Sequence, residues 1–118
     1  DAWMSPGMQN TRIEEVIACY GDRAKTFGMT EVLPNGVKAI PIPGHTPGHT
    51  AYVVGTNLIA GDIMHGVALQ LENPEVCARF DMNHEDAVAS RKALIDIAKA
   101  EGLTMYGMHF PAPYYIEF

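Results

Sequence analysis

Apolar positions recur along the chain with helical spacing in two stretches and in short continuous runs elsewhere. Ile13, Val16, Ile17 and Tyr20 mark one face of a helix over about 12–20. Thr11 and Glu14 form a capping-box pattern at its start, and Gly21 suits a left-handed stop. Residues 30–33 and 37–42 flank Pro34-Asn35-Gly36, which predicts a hairpin, since Pro fixes φ and Asn-Gly tolerates positive φ. Residues 51–54 and 58–60, joined by Gly55-Thr56-Asn57, predict a second hairpin. These two runs are almost unbroken in apolar residues, which fits strands covered on both faces. Residues 67–71 read as a further strand, and Asn73-Pro74 as a turn. Asn83 stands as N-cap of the longest helix, about 84–101, whose stripe is Ala87, Val88, Leu94, Ile95 and Ala98 and whose stop is Gly102. Residues 103–106 read as the last strand, and the first 10 residues, with Pro6 and Gly7, as a loop. The sum is an α/β (α+β) architecture: a mixed sheet of about five or six strands with both helices on one face. No repeat, low-complexity tract or linker divides it, so residues 1–118 read as a single domain.

Composition narrows the classes. Hydrophobic residues at 47% and charged residues at 19% describe a globular chain. The net charge of −6 disfavours a nucleic-acid or anionic-membrane partner. No apolar run approaches the ~20 residues that span a bilayer, and no signal-peptide pattern opens the chain. Cys19 and Cys77 make no metal-binding spacing, so they read as small buried residues in a reducing, cytoplasmic compartment, with a disulfide between them left open. The start at Asp1 and the apolar, aromatic end at Phe118 read as a chain trimmed from a longer one.

Candidate chemistry falls in loops just after predicted strands. His49 closes the loop Gly44-His45-Thr46-Pro47-Gly48-His49, Asp62 follows the second hairpin, and His109 follows the last strand. Imidazole and carboxylate are ligands that zinc, iron and manganese accept, and a glycine close to each lets backbone approach. Taken singly, a histidine at a strand end is more often a surface or hydrogen-bonded residue, and a Gly-Asp pair a turn. His45 and His49 mimic a helical i, i+4 ligand pair, but Pro47 argues against a helix there. His84, in the first turn of the long helix, reads as solvent-facing. His65 lies three residues past Asp62 and reads as a supporting residue.

Together these segments are specific. Gly44-His45-Thr46-Pro47-Gly48-His49-Thr50, then Ala60-Gly61-Asp62, then Gly107-Met108-His109-Phe110-Pro111 resemble, in order and interval, the metallo-β-lactamase superfamily. Gly61-Asp62-Ile63-Met64-His65 and Arg79-Phe80-Asp81 look like its methyl-parathion-hydrolase-like and lactonase-like branch. The resemblance runs from about residue 11 to 113 and implies the C-terminal half of a four-layer αββα sandwich. It also implies that His49 belongs to a first metal site, that Asp62 bridges two metals, and that His109 belongs to the second. His45 would support its loop, and the metals, zinc or another divalent ion, would activate water and polarise a scissile carbonyl or phosphoryl group.

The family's His-x-His-x-Asp-His motif is absent, for residues 1–44 contain no histidine. Three ligands shared by two metals fall short of the about four donors of a stable zinc site. The chain alone is therefore expected to bind metal weakly or not at all and to have no independent catalysis. Three readings stay open: part of a working metal-dependent hydrolase of the ester, lactone or phosphotriester type, a free-standing half-domain that dimerises without being an enzyme, or a homodimer that builds a new metal site. Its partner is accordingly a second copy or the missing N-terminal half. The fold hosts many substrates, so the substrate is not legible.

Overall fold

The computed structural model describes residues 11–29 and 31–118. The loop read over residues 1–10 and the Thr11 side-chain cap lie outside the described residues. Two compact units are present, one ending at Glu31 and one running from Val32 to Phe118. In the first, α1 spans Thr11–Tyr20, and Gly21, at φ 50°, opens a single 3₁₀ turn to Arg23. The helix forms where its spacing predicts, with Val16, Ile17 and Tyr20 exposed. Cys19 is exposed and Cys77 half-buried, and both are free thiols, which corrects the reading of both as buried.

The second unit is built on a five-stranded mixed sheet in simple sequential order. Its strands are β1 (Lys38–Pro41), β2 (Thr50–Val54), β3 (Asn57–Ile59), β4 (Thr104–Tyr106) and β5 (Tyr115–Glu117). All neighbours are antiparallel except β3 and β4, which are parallel and therefore need a long crossover. That crossover carries α2 (Val67–Gln70) and α3 (His84–Glu101). Asn83 caps α3 as predicted, its side chain accepting the Asp86 N–H at 3.1 Å, and Gly102 ends the helix at φ 61°. Leu94 and Ala98 of α3 pack with Ala51, Val53, Leu58 and Met105 of the sheet, all nearly sealed from solvent.

Two expectations are corrected. Residues 31–33 are not a strand; β1 is the edge of the sheet, and Val32 is 94% exposed, so nothing buried would offset the entropy of pairing there. Pro34-Asn35-Gly36 is still the turn its residues dictate, with Asn35 at φ 60°. The segment 67–71 is helical, not a strand: Val67, Gln70 and Leu71 turn inward at helical spacing while Ala68 and Leu69 face out. Within the unit the apolar runs of β2 and β3 are covered on one face and open on the other, as expected of strands whose second cover lies outside this chain. Ala51, Val53 and Leu58 are buried, whereas Val54 and Ile59 are exposed.

The second face has an order of its own. Ala39, Tyr52, Ile59, Tyr106 and Tyr115 are successive register partners, so they form one row across all five strands. The Tyr106 and Tyr115 rings stand 5.7 Å apart.

Candidate metal centre

Topology explains why three residues distant in sequence meet. His49 precedes β2, which is antiparallel to β3, and Asp62 follows β3. His109 follows β4, which is parallel to β3. All three therefore leave the sheet at the same end. The loops are then tied together: Ile42 N–H donates to His49 O at 2.9 Å, and Met108 N–H to Gly61 O at 3.0 Å. Gly44 lies so close to α3 that a Cβ there would meet the Ala87 backbone nitrogen at 2.2 Å. No other residue type fits, and the loop 44–49 is non-helical, as Pro47 implied.

Asp62 is the centre of the cluster. One carboxylate oxygen lies 3.0 Å from His109 Nε2, the other 4.0 Å from His45 Nε2. Its backbone N–H donates to His49 Nε2 at 3.1 Å. Burial lowers the His49 pKa, partly countered by the Asp62 charge, so the ring is neutral and able to accept that bond. Its Nδ1 is buried with no hydrogen-bond partner among the described residues. His65 packs between the other rings, 4.5 Å from His109, 5.0 Å from His45 and 4.7 Å from Phe80 by centroid. Desolvation first, then the neighbouring His109 and His45, lower its pKa. His84 is exposed, as its position implied.

Sequence reasoning missed the buried polar residues that hold these loops. Arg91, 1% exposed, donates from Nε to Ile63 O at 2.9 Å and from its fork to Pro74 O and Val76 O. It also stands 3.8 Å from the Asp81 carboxylate, which accepts the Ala78 N–H and lies 3.0 Å from His45 Nδ1. An anchored chain thus runs from α3 to the ring that faces Asp62. Position 91 falls inside the apolar stripe between Ala87 and Leu94, and a charge there was the available signal. Gln70 does similar work: its Oε1 accepts from His65 N–H and Gly66 N–H, and its Nε2 donates to Val76 O.

Among the described residues two groups offer three donor atoms all within 4.8 Å of one another: His45, His65 and Asp81, and Asp62, His65 and His109. His49 belongs to neither. Each set pairs imidazoles with one carboxylate, donor types that a divalent ion of the zinc kind accepts.

The comparisons with known proteins agree with this architecture. The hydrolase AbOPH of the β-lactamase superfamily matches 98% of this chain at 28% identity with a TM-score of 0.82. AidC, described as a dizinc quorum-quenching lactonase, matches 89% at 19% identity with a TM-score of 0.78. The chain spans 46% of the first structure and 37% of the second. It has the metallo-β-lactamase fold and is related to the hydrolases of that superfamily, of which it covers under half. No protein-family model matches. One further likeness points elsewhere: a Bacillus subtilis (strain 168) protein described as a candidate HMP/thiamine-binding protein, YkoF, is 33% identical over 79 residues. That likeness covers 67% of this chain and 38% of the relative, against 98% of this chain for AbOPH.

Proposed function

We propose that this chain is the C-terminal, metal-facing portion of a metal-dependent hydrolase of the ester, lactone or phosphotriester type. The observation that carries the reading is the convergence of Asp62, His109 and His49 from three loops at one end of the sheet. Asp62 and His109 present donor atoms to solvent, and a divalent ion held there would polarise a scissile carbonyl or phosphoryl group and acidify water. His45, oriented by Asp81, stands 4.0 Å from the second oxygen of Asp62. On the family resemblance His49 is a third ligand. An apolar cavity of about 300 Å³ adjoins the cluster, lined by His65, Leu69, Val76, Cys77 and Phe80, and is suited to an aliphatic or aromatic substituent.

The chain alone supplies too few donors for the dinuclear centre of the family, so turnover requires the remaining half of the fold. The row Tyr52–Ile59–Tyr106–Tyr115 is the face on which that half packs, in keeping with relatives more than twice as long. The test is an assay of the 118-residue chain and of the whole gene product with lactone, phosphotriester, thioester and β-lactam substrates, with added zinc or manganese. Metal-dependent turnover is expected from the whole product alone, with loss in Asp62→Ala. Turnover by the short chain that disappears in Asp62→Ala would refute the dependence on a second half. A whole product with no His-x-His-x-Asp-His motif and no turnover would refute the hydrolase reading.

A further inference from the structure

The buried polar side chains among the described residues are Gln70, Asp81 and Arg91, at 3%, 7% and 1% exposure. All three belong to one network. Its centre is the Val76 carbonyl, which accepts from Arg91 Nη1 at 2.9 Å and from Gln70 Nε2 at 2.8 Å. Val76 lines the apolar cavity, as do Gln70 and Ala78. From that shared carbonyl Arg91 reaches on to Ile63 O and Pro74 O, and Gln70 to the N–H groups of His65 and Gly66. Asp81, 3.8 Å from Arg91, accepts the Ala78 N–H at 2.9 Å and donates its own N–H to Ala78 O at 3.0 Å.

Residues 71–83 form neither helix nor strand, so their backbone groups have no regular ladder to join. Apolar packing alone would hold such a segment but leave its buried carbonyls unpaired. A guanidinium meets several carbonyls at fixed angles, which an ammonium does not. Two stretches of the cavity lining are thereby tied to each other, His65–Gly66 through Gln70 and Val76–Ala78 through Arg91 and Asp81. The first stretch begins three residues after Asp62, and the Arg91 bond to Ile63 O falls directly beside that aspartate. The same bonds therefore set both the width of the cavity and its place relative to Asp62.

We propose that Arg91 and Gln70 are positioning residues that clamp the cavity lining by sharing the Val76 carbonyl. The clamp fixes where an apolar substituent sits relative to the Asp62 carboxylate, and so rests on the reading of the cavity given above. Arg91 does not line the cavity, so its effect passes through Val76. Loosening the clamp penalises substrates that fill the cavity more than those that leave it empty, because only the former use its walls for alignment.

Amide hydrogen exchange on the 118-residue chain tests the clamp without any need for activity. Each variant should loosen the amides whose own acceptor it leaves untouched. In Arg91→Lys, which keeps Gln70, the His65 and Gly66 amides should lose protection by at least about tenfold beyond the loss at β2 and α3 amides. In Gln70→Met, which keeps Asp81, the Ala78 amide should do the same, and this variant decides the matter if Arg91→Lys does not fold. Losses no greater than those of β2 at these amides overturn the proposal. The whole gene product gives a second readout, KM against kcat for lactones with short and long alkyl substituents. Either variant should raise KM for the long-chain lactone by about tenfold and leave the short-chain KM within about twofold. An equal loss for both lactones makes the two residues structural only and overturns the positioning role. A wild-type whole product without turnover refutes the hydrolase reading, and exchange alone then decides the clamp.

Discussion

A Cβ placed on Gly61 would lie 2.7 Å from Nε2 of His49, so the glycine before Asp62 is required by the histidine across from it. Gly61 also sits at φ 55°, where side chains are strained. Gly55 provides the control, since it has φ 60° but nothing within 4 Å of a built Cβ. Gly55→Ala should cost about 1–2 kcal/mol from backbone strain alone. Gly61→Ala should cost at least about 1 kcal/mol more, because His49 must give way. Urea denaturation of the two variants measures the difference, and equal losses would show that the close approach carries no weight.

Arg91 is the most deeply committed charge in the second unit. Removing it strips Ile63, Pro74 and Val76 carbonyls of a donor and leaves Asp81 buried without its guanidinium. Arg91→Met should therefore destabilise by about 3–5 kcal/mol. Arg91→Lys should recover little, because one ammonium cannot reproduce the fork. A chemical-denaturation midpoint close to wild type for the methionine variant would contradict this.

The metal-free chain should lose stability on mild acidification. Burial holds the His49 pKa below its ordinary 6.5, and His65 is shifted the same way. As pH falls through about 6.5, the unfolded chain takes up protons that the folded chain refuses, so the unfolded state binds more and stability falls. Above that pH the contribution is constant. The urea midpoint should drop between about pH 7.5 and 5.5, and by less in His49→Gln. A midpoint that rises on acidification would falsify the assignment of a neutral buried ring.

The exposed row across the second sheet face should make the isolated chain associate with itself. Val54, Ile59 and Tyr115 are 43%, 45% and 38% exposed on that face, beside Tyr52 and Tyr106. With no other half present, a second copy offers the same flat apolar surface, and a two-fold pairing buries both. Sedimentation velocity over a micromolar range should show a concentration-dependent dimer that Ile59→Lys converts to monomer. A wild-type chain that stays monomeric throughout would mean that the face needs no cover.

The long helix, its Asn83 cap, its Gly102 stop and the β2–β3 hairpin were all legible, because each is set by local residue chemistry. So was the grouping of His49, Asp62 and His109, which the loop motifs and strand order jointly imply. What escaped depends on tertiary partners. The alternation of β2 and β3 is hidden in sequence because Val54 and Ile59 are apolar yet exposed. Strand β5 follows Pro111 and Pro113, and its pairing with β4 is visible only once the sheet exists. Gln70, buried at the end of α2, accepts the N–H groups of His65 and Gly66 just before that helix, a tie that no apolar period reveals. His65 was singled out by its spacing from Asp62; what the sequence does not show is its packing against the rings of His45 and His109.

The parallel join of β3 and β4 has a kinetic side. Asp62 and His109 lie at the two ends of the crossover, so they come together only after residues 60–103 have folded back and β4 has docked beside β3. The β1–β2–β3 meander needs only short-range closures and can form before that, whereas the parallel pairing must wait for its long loop to close. The pairing of Asp62 with His109 is thus expected to form in the slowest step of the unit. An ion that bridges Asp62 and His109 would act on the back reaction, slowing the undocking of β4 rather than hastening its arrival.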